Sequence, residues 1–388
     1  MFESNVYLPT RIIFGVDKLS ELSTIKLPGK KALLCVTSDG LMEKIGIQQK
    51  VIEYLSKNNT EVIIYNEVCP NPTKSSVEKA VRLAKSEGCD FVIGLGGGSS
   101  IDTAKAAAIM LVNDGNLWDY AYTGTGGKKI IEKAAPIVTI STTSGTGTET
   151  DCYCVITNEE TDEKLDFATE AIFPTISIID ARYMLSLPKS LTIYQGFDAL
   201  FHAAECYIAN GHKNKMVDLY AKESIKIVSE YLPKVVENTN DLESRNYMAF
   251  AADILSGYTQ SLVSVTSHHI IAQTLGGYYP SLAHGASLIV IAEEYYTKAS
   301  KFLPELFDEI GELMGINNSS KDGMGFVYGI KDLMKKTGAN NLKMSEFGIT
   351  RKDFDKIVNM TVEEVGIGLD RYTLTKEDIY DILEKSYK

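Results

Sequence analysis

The chain has 388 residues, 44% hydrophobic and 23% charged, with a formal net charge of −12. That length exceeds what one compact core organises and predicts two domains of an ordinary globular protein. The acidic balance argues against nucleic acid or an anionic membrane as a partner, since both call for a basic surface; a small anion held by one local cation remains open.

No apolar run approaches the roughly 20 residues needed to span a bilayer. The start, MFESNVYLPTR, lacks a basic segment followed by an apolar one, so no signal peptide is expected and the cytoplasm is the expected compartment. Six cysteines (Cys35, Cys69, Cys89, Cys152, Cys154, Cys206) form no C-x-x-C pair, which predicts reduced thiols.

In chain order, KALLCVTS (31–38) is a short apolar run bounded by Lys and Ser-Asp-Gly and predicts a buried strand, followed by a helix over LMEKIGIQQKVIEYLSKN. EVIIY predicts a second strand, CPNPT a turn, and 75–87 a helix opened by Ser75 with Glu78 three residues on. CDFVIGL and APIVTIS add two more strands. Strands alternating with helices predict a parallel sheet with helices on its faces. After Gly147, CYCVIT and KLDFAT flank an acidic connector and predict a hairpin before the strand TISIID. From about Leu187 onward only helical stretches follow, broken at Asn-Gly, Leu-Pro and Gly-Gly. The expectation is therefore an α/β domain over 1–186 and an all-helical domain over 187–388, with the active site in the cleft between them.

Two loops of small residues stand out in the first half. GLGGGSSIDTAK follows a strand and opens a helix, where backbone N–H groups and the helix dipole can receive a pyrophosphate. Its spacing is not the G-x-G-x-x-G of the common dinucleotide turn, and it follows the third strand, not the first. A strand-to-helix turn without a ligand would read the same way. The second loop, STTSGTGTE at 141–149, offers hydroxyls and further N–H groups, and two such loops favour a dinucleotide over a single phosphate.

In the second half, Phe197, Leu200, Phe201 and Ala204 of QGFDALFHAAECY recur at helical spacing, which puts Asp198 and His202 on one face. Alone, such a pair is common as a surface ion pair. Four of the five histidines, however, crowd into this segment and SHHIIAQTLGGYYPSLAHG, which holds His268, His269 and His284. His268 and His269 project about 100° apart on a helix, so one of them is expected to join the cluster. An Asp with three His suits Fe²⁺ or Zn²⁺ and leaves a position for a substrate oxygen. Cys152 and Cys154 lack a further Cys or His nearby and are not read as ligands. His212 lies in the polar turn NGHKNK and is expected to be exposed.

Taken in order, LPTRIIFG, PNPT, GGGSSIDTAK, STTSGTGTE, GFDALFHAAE and HHIIAQTLGGYYPSLAHG resemble the iron-containing (group III) alcohol dehydrogenases, which share a fold with dehydroquinate synthase and glycerol dehydrogenase. The resemblance spans nearly the whole chain and implies a dehydroquinate synthase-like fold, with an α/β dinucleotide-binding domain over 1–186 and an all-α metal-binding domain over 187–388. It implies Asp198, His202, His269 and His284 as the catalytic metal ligands, and Gly97, Gly98, Ser99 and Asp102 as cofactor contacts at the diphosphate turn. Asn71 would sit beside the nicotinamide ribose and diphosphate, and Thr142, Thr143 and Thr146 near a ribose or the adenosine. Lys164 and Leu187 match weaker positions for the same ligand, and Tyr153 is expected near the substrate pocket. Ser38 stands where relatives carry the acid that binds a ribose hydroxyl and repels a 2′-phosphate; with Asp39 adjacent, NAD is expected and NADP tolerated.

One departure is visible. Many relatives have a further histidine four residues after the third ligand, where this chain has Gln273 in the substrate pocket, which cannot titrate. Solvent, a ribose hydroxyl or His268 would then carry the proton, unless His268 is only a packed or solvent-facing residue. The resemblance implies a homodimeric, metal-dependent NAD(P)-linked alcohol dehydrogenase that works mainly as an aldehyde reductase. Its substrate would be a small primary alcohol or a short ω-functionalised aldehyde such as succinic semialdehyde, sulfoacetaldehyde, lactaldehyde or butyraldehyde. The rivals are a dehydroquinate synthase-like lyase, which would need a Lys and Arg cluster that the ligand segments lack, and a non-catalytic nucleotide or metal binder.

Overall fold

Short runs of Ile, Val and Leu build the sheet that positions the first half of the chain. The computed structural model describes residues 4–317, 319–367 and 370–388. Its strands are β1 (Arg11–Phe14), β2 (Lys31–Thr37), β3 (Glu61–Val68), β4 (Phe91–Gly96), β5 (Ile137–Ser141), β6 (Tyr153–Asn158), β7 (Glu163–Ala168) and β8 (Ile176–Ile179). Six of them form one sheet in the order β1-β8-β5-β4-β2-β3, parallel throughout, and β6 pairs antiparallel with β7 as the expected hairpin. Every residue of β4 and β5 is buried, which is why these strands read as continuous apolar runs without alternation.

The connecting helices are α1 (Leu41–Lys44), α2 (Ile47–Lys57), α3 (Lys74–Glu87) and α4 (Gly98–Val112). Helix α4 carries buried Ala104, Ala106, Ala107 and Ala108, so it approaches the sheet closely. Closeness is greatest at Gly94 of β4, where an added Cβ would lie 2.7 Å from the backbone Cα of Ile101. Backbone cannot yield as a flexible side chain can, so Gly94→Ala is expected to cost about 1–3 kcal/mol, read as a lower denaturant midpoint at unchanged slope.

Three local expectations need correction. Thr73, not Ser75, caps α3: its Oγ1 accepts from the Ser76 N–H at 3.3 Å, and the helix starts one residue earlier, at Lys74. The predicted helix after β2 divides into α1 and α2 at Gly46, whose φ of 75° breaks the helical path. Strand β1 was not foreseen, because four residues, RIIF, give too short a pattern without knowledge of the partner β8.

The chain divides by contacts at 186/187 into a unit of Tyr7–Ser186 and a unit of Leu187–Lys388 that also takes in the N-terminal residues up to Val6. Regular structure in the second unit is helical among the described residues: α5 (Lys189–Asn210), α6 (Lys215–Glu237), α7 (Leu242–Ala249), α8 (Gly257–Leu262), α9 (Ser267–Tyr278), α10 (His284–Ser300), α11 (Pro304–Leu313), α12 (Gly325–Thr337), α13 (Phe354–Asn359) and α14 (Lys376–Ser386). A π-helical turn, Phe250–Ser256, joins α7 to α8. Leu303-Pro304 does open a helix, with Pro at its first position, but Pro233 lies inside α6. Buried Leu232, Val235 and Val236 on either side hold that last turn in place. Gly276 and Gly277 likewise lie within α9, not at a break. Among the described residues no helix is long and apolar enough to cross a membrane.

Candidate metal centre and nucleotide-binding loops

Helix α5 carries Asp198, His202 and Glu205 on one face, buried to 3%, 7% and 0% exposure. Helix α9 brings His269 to the same place, and the first residue of α10 is His284. The Nε2 atoms of His269, His284 and His202 lie 3.5, 3.6 and 3.7 Å from one atom, Asp198 Oδ1. Donor atoms of Asp198, His269 and His284 all fall within 4.8 Å of one another, and the His202 ring stacks on His269 with centroids 4.5 Å apart.

Those spacings distinguish an ion-sized gap from a directly hydrogen-bonded cluster. Ligand atoms held 2.0–2.2 Å from one ion at tetrahedral angles lie about 3.4 Å apart, whereas direct hydrogen bonds between nitrogen and carboxylate close to about 2.7–2.9 Å. The Asp198 contacts match the first distance. Asp198 Oδ1 and His269 Nε2 are also buried with no hydrogen-bond partner among the described residues. A buried carboxylate oxygen facing nitrogens across an ion-sized gap is a costly arrangement unless something fills it.

A second group of the same residue types shows the opposite spacing. Glu205 Oε1 lies 2.7 Å from His269 Nδ1 and 2.8 Å from His268 Nδ1, so hydrogens, not an ion, join them. The other nitrogen of His268, Nε2, sits 3.0 Å from the Leu288 carbonyl, and its ring meets Phe201 edge-on at 4.7 Å. His268 is therefore neither solvent-facing nor placed to relay a proton: both nitrogens are engaged inside the helical core. Sequence reasoning passed over Glu205, although its place three residues after His202 and seven after Asp198 puts it on their face.

Charge in the cluster follows from these contacts. Burial alone would raise the Asp198 carboxyl, but His202, His284 and His269 outweigh it and hold it at about 2. Burial also works against a charged His269, yet Glu205 and Asp198 push it up to about 9. Glu205 itself stays well below the usual carboxylate range despite burial, because His269 and His268 face it. A metal bound at His269 would have to displace that proton, so apparent metal affinity is expected to rise about tenfold per pH unit up to about pH 9 and then level off, measured by competition with a chelator. In the metal-free protein the sign reverses. With a folded value above the ordinary 6.5, His269 contributes stability that is fully present below about pH 6.5 and is lost as pH rises through about 9.

In the first unit, the β4–α4 turn and the loop after β5 pack directly on one another. A Cβ on Gly97 would lie 2.7 Å from Thr143 Cγ2, one on Gly98 2.7 Å from Thr146 Cγ2, and the Thr142 N–H bonds the Gly96 carbonyl at 2.9 Å. These glycines are thus needed for loop against loop. The N-terminus of α4, with Gly98 and Ser99 in its first turn, has no side-chain cap, which leaves its leading N–H groups oriented as for an anion. Asp102 turns inward: it accepts from Thr148 Oγ1 at 2.9 Å and the Val155 N–H at 3.1 Å, and burial pushes its carboxyl up to about 7. It ties the loop to β6.

Asn71 and Lys164, 93 residues apart, are joined by a 2.8 Å bond from Lys164 Nζ to Asn71 Oδ1. Asn71 holds a left-handed φ of 53°, and the Thr157 N–H on β6 bonds the Pro72 carbonyl, so the hairpin braces this turn. Ser38 is exposed at the end of β2, and Asp39 is engaged locally, accepting from Thr37 Oγ1 and the Leu41 N–H. Tyr153 is half-buried on β6 in this unit; Leu187 and Gln273 are buried in the other. All six cysteines are free, and exposed-turn His212 contacts Asp218 and Glu309.

Comparison with known proteins gives the class of a chain with this parallel-sheet unit and this helical unit: an oxidoreductase of the alcohol dehydrogenase type. The chain belongs to the iron-containing alcohol dehydrogenase family: residues 9–181 match the family's "Iron-containing alcohol dehydrogenase" description, and 192–387 its C-terminal counterpart. It is 31% identical over 388 residues to the NAD-dependent methanol dehydrogenase of Bacillus methanolicus, covering 99% of this chain and 100% of that one. With the 1,3-propanediol dehydrogenase of Klebsiella pneumoniae it shares 35% over 292 residues, 75% of this chain and 73% of the other. The crystal structure of an NADH-dependent butanol dehydrogenase from Thermotoga maritima superposes with a TM-score of 0.91 at 32% identity, covering 100% and 99% of the two chains.

Proposed function

We propose that this enzyme is a metal-dependent, NAD(H)-linked alcohol dehydrogenase working mainly as a reductase of short, ω-functionalised aldehydes, with Asp198, His202, His269 and His284 holding one Fe²⁺ or Zn²⁺. The observation that carries this reading is the ion-sized gap around Asp198 Oδ1, bounded by three imidazole nitrogens at 3.5–3.7 Å. When bound, the ion supplies Lewis-acid polarisation of the substrate oxygen. The protein's part is orientation: the uncapped start of α4 receives the diphosphate, and the Asn71–Lys164 pair presents an amide and an ammonium to the same ligand. NAD is supported by the cofactor named for the Bacillus and Thermotoga relatives.

Gln273 follows His269 by one turn of α9 and keeps a buried Oε1 with no partner among the described residues. An amide there can orient a substrate hydroxyl but moves no proton of its own. Because Ser38 presents no charge and Asp39 is occupied by its own helix start, NADPH is expected to be accepted as well. Ser38→Asp should lower kcat/KM for NADPH several-fold and leave NADH unchanged. The decisive assay follows NADH oxidation with a panel of short aldehydes before and after chelation and metal restoration. Turnover that persists without metal overturns the proposal; turnover lost and regained with Fe²⁺ or Zn²⁺ supports it.

A further inference from the structure

The histidines of a metal centre must present a lone pair, not a hydrogen, to the ion, and a free imidazole chooses between its two nitrogens. His269 has that choice removed. Its Nδ1 lies 2.7 Å from Glu205 Oε1, an oxygen that can only accept, so a hydrogen stays on Nδ1 and Nε2, 3.5 Å from Asp198 Oδ1, is the nitrogen left to give up its proton to an ion. The other oxygen of the same carboxylate, Oε2, accepts from the Thr266 N–H and the Thr266 hydroxyl, both at 2.8 Å. Thr266 is the residue that should cap α9, yet its own side chain makes no capping bond. Glu205 therefore grips the N-cap residue of α9 from α5, and fixes both the ring and the backbone that carries it.

We infer that Glu205 is a positioning residue of the metal centre, which sets the tautomer of His269 and anchors α9 at the distance the ion requires. It is not itself a ligand, because its 2.7 and 2.8 Å contacts leave room for a hydrogen and none for an ion. The inference rests on the proposed metal site and adds a residue in contact with neither ion nor substrate. A glutamine at 205 has the same shape but cannot satisfy both sides. With its carbonyl toward His269, its NH₂ meets the Thr266 donors; turned over, its NH₂ meets His269 Nδ1 and drives the hydrogen to Nε2.

The test compares zinc binding by the wild-type protein and Glu205→Gln, by competition with a chromogenic chelator at one pH, with circular dichroism and a cooperative thermal transition as the check of folding. The expected result is a 10- to 100-fold weaker zinc affinity in a folded variant. A folded variant that binds zinc as tightly as the wild type overturns the role of Glu205 alone. A wild type that takes up no zinc overturns the metal site, and this inference with it. Should the variant fail to fold, ¹⁵N NMR of the zinc-loaded wild type decides: His269 protonated at Nδ1 and ligated through Nε2 supports the inference, and ligation through Nδ1 overturns it.

Discussion

Asp198→Ala is expected to yield a folded protein that retains neither stoichiometric metal nor measurable aldehyde reduction. Oδ1 of this residue is the common vertex from which all three imidazole nitrogens are reached within 3.7 Å, so no other group can take its place. Its charge would also balance the proposed ion in a site where Asp198, His202 and His269 are nearly shut off from water. Losing a Lewis acid that contributes several kcal/mol of charge stabilisation corresponds to at least about a 10³-fold fall in kcat/KM. Metal content by elemental analysis and NADH oxidation should fall together. Asp198→Asn keeps the shape and removes the charge, and is expected to fall between the two. An alanine variant that retains metal and half its activity would show that the cluster is a packed polar core with no ion.

Gly285→Ala is expected to damage the same centre without touching any ligand. An added Cβ at this position would lie 2.1 Å from the Tyr194 carbonyl oxygen and 2.5 Å from its carbon. Both are backbone atoms of α5, one turn before Asp198, and Gly285 follows His284 directly on α10. Relief requires the two helices to part, which moves His284 away from Asp198. Overpacking of this kind costs about 1–3 kcal/mol, and here the displacement falls on a proposed ligand. The expected result is a lower thermal midpoint together with at least tenfold weaker zinc binding. Unchanged zinc affinity at unchanged stability would mean that the α5–α10 contact adapts, and that the position of His284 does not depend on it.

The alternation of strand and helix, the hairpin after Gly147 and the helical second half were all legible, because each rests on a local period. So was the placing of Asp198 and His202 on one face, which four-residue spacing dictates once the helix is granted. What stayed hidden was set by distant partners. Strand β1 exists because β8, more than 160 residues later in sequence, lies beside it. Thr73 caps α3 in place of Ser75, because the chain enters the helix one residue earlier than pattern alone suggests. The fate of His268, buried between Glu205 and the Leu288 carbonyl, depends on two other helices, and no single segment announces it. Gly97 and Gly98 are expected from the resemblance as cofactor contacts, and the structure adds that Thr143 and Thr146 lie against them.

Helix α9 is tied down at its start a second time, by a residue far along the chain. The Ser267 N–H donates to Asp370 Oδ1 at 3.0 Å, the Ser267 hydroxyl bonds the other oxygen, and Tyr295 and Tyr372 extend the same network. A span of 103 residues separates the two ends of that bond. During synthesis, then, the ribosome must deliver the chain through residue 370 before this clasp can close, and His269 waits on it. Nascent chains halted before residue 370 should already contain a formed sheet, yet hold zinc weakly if at all.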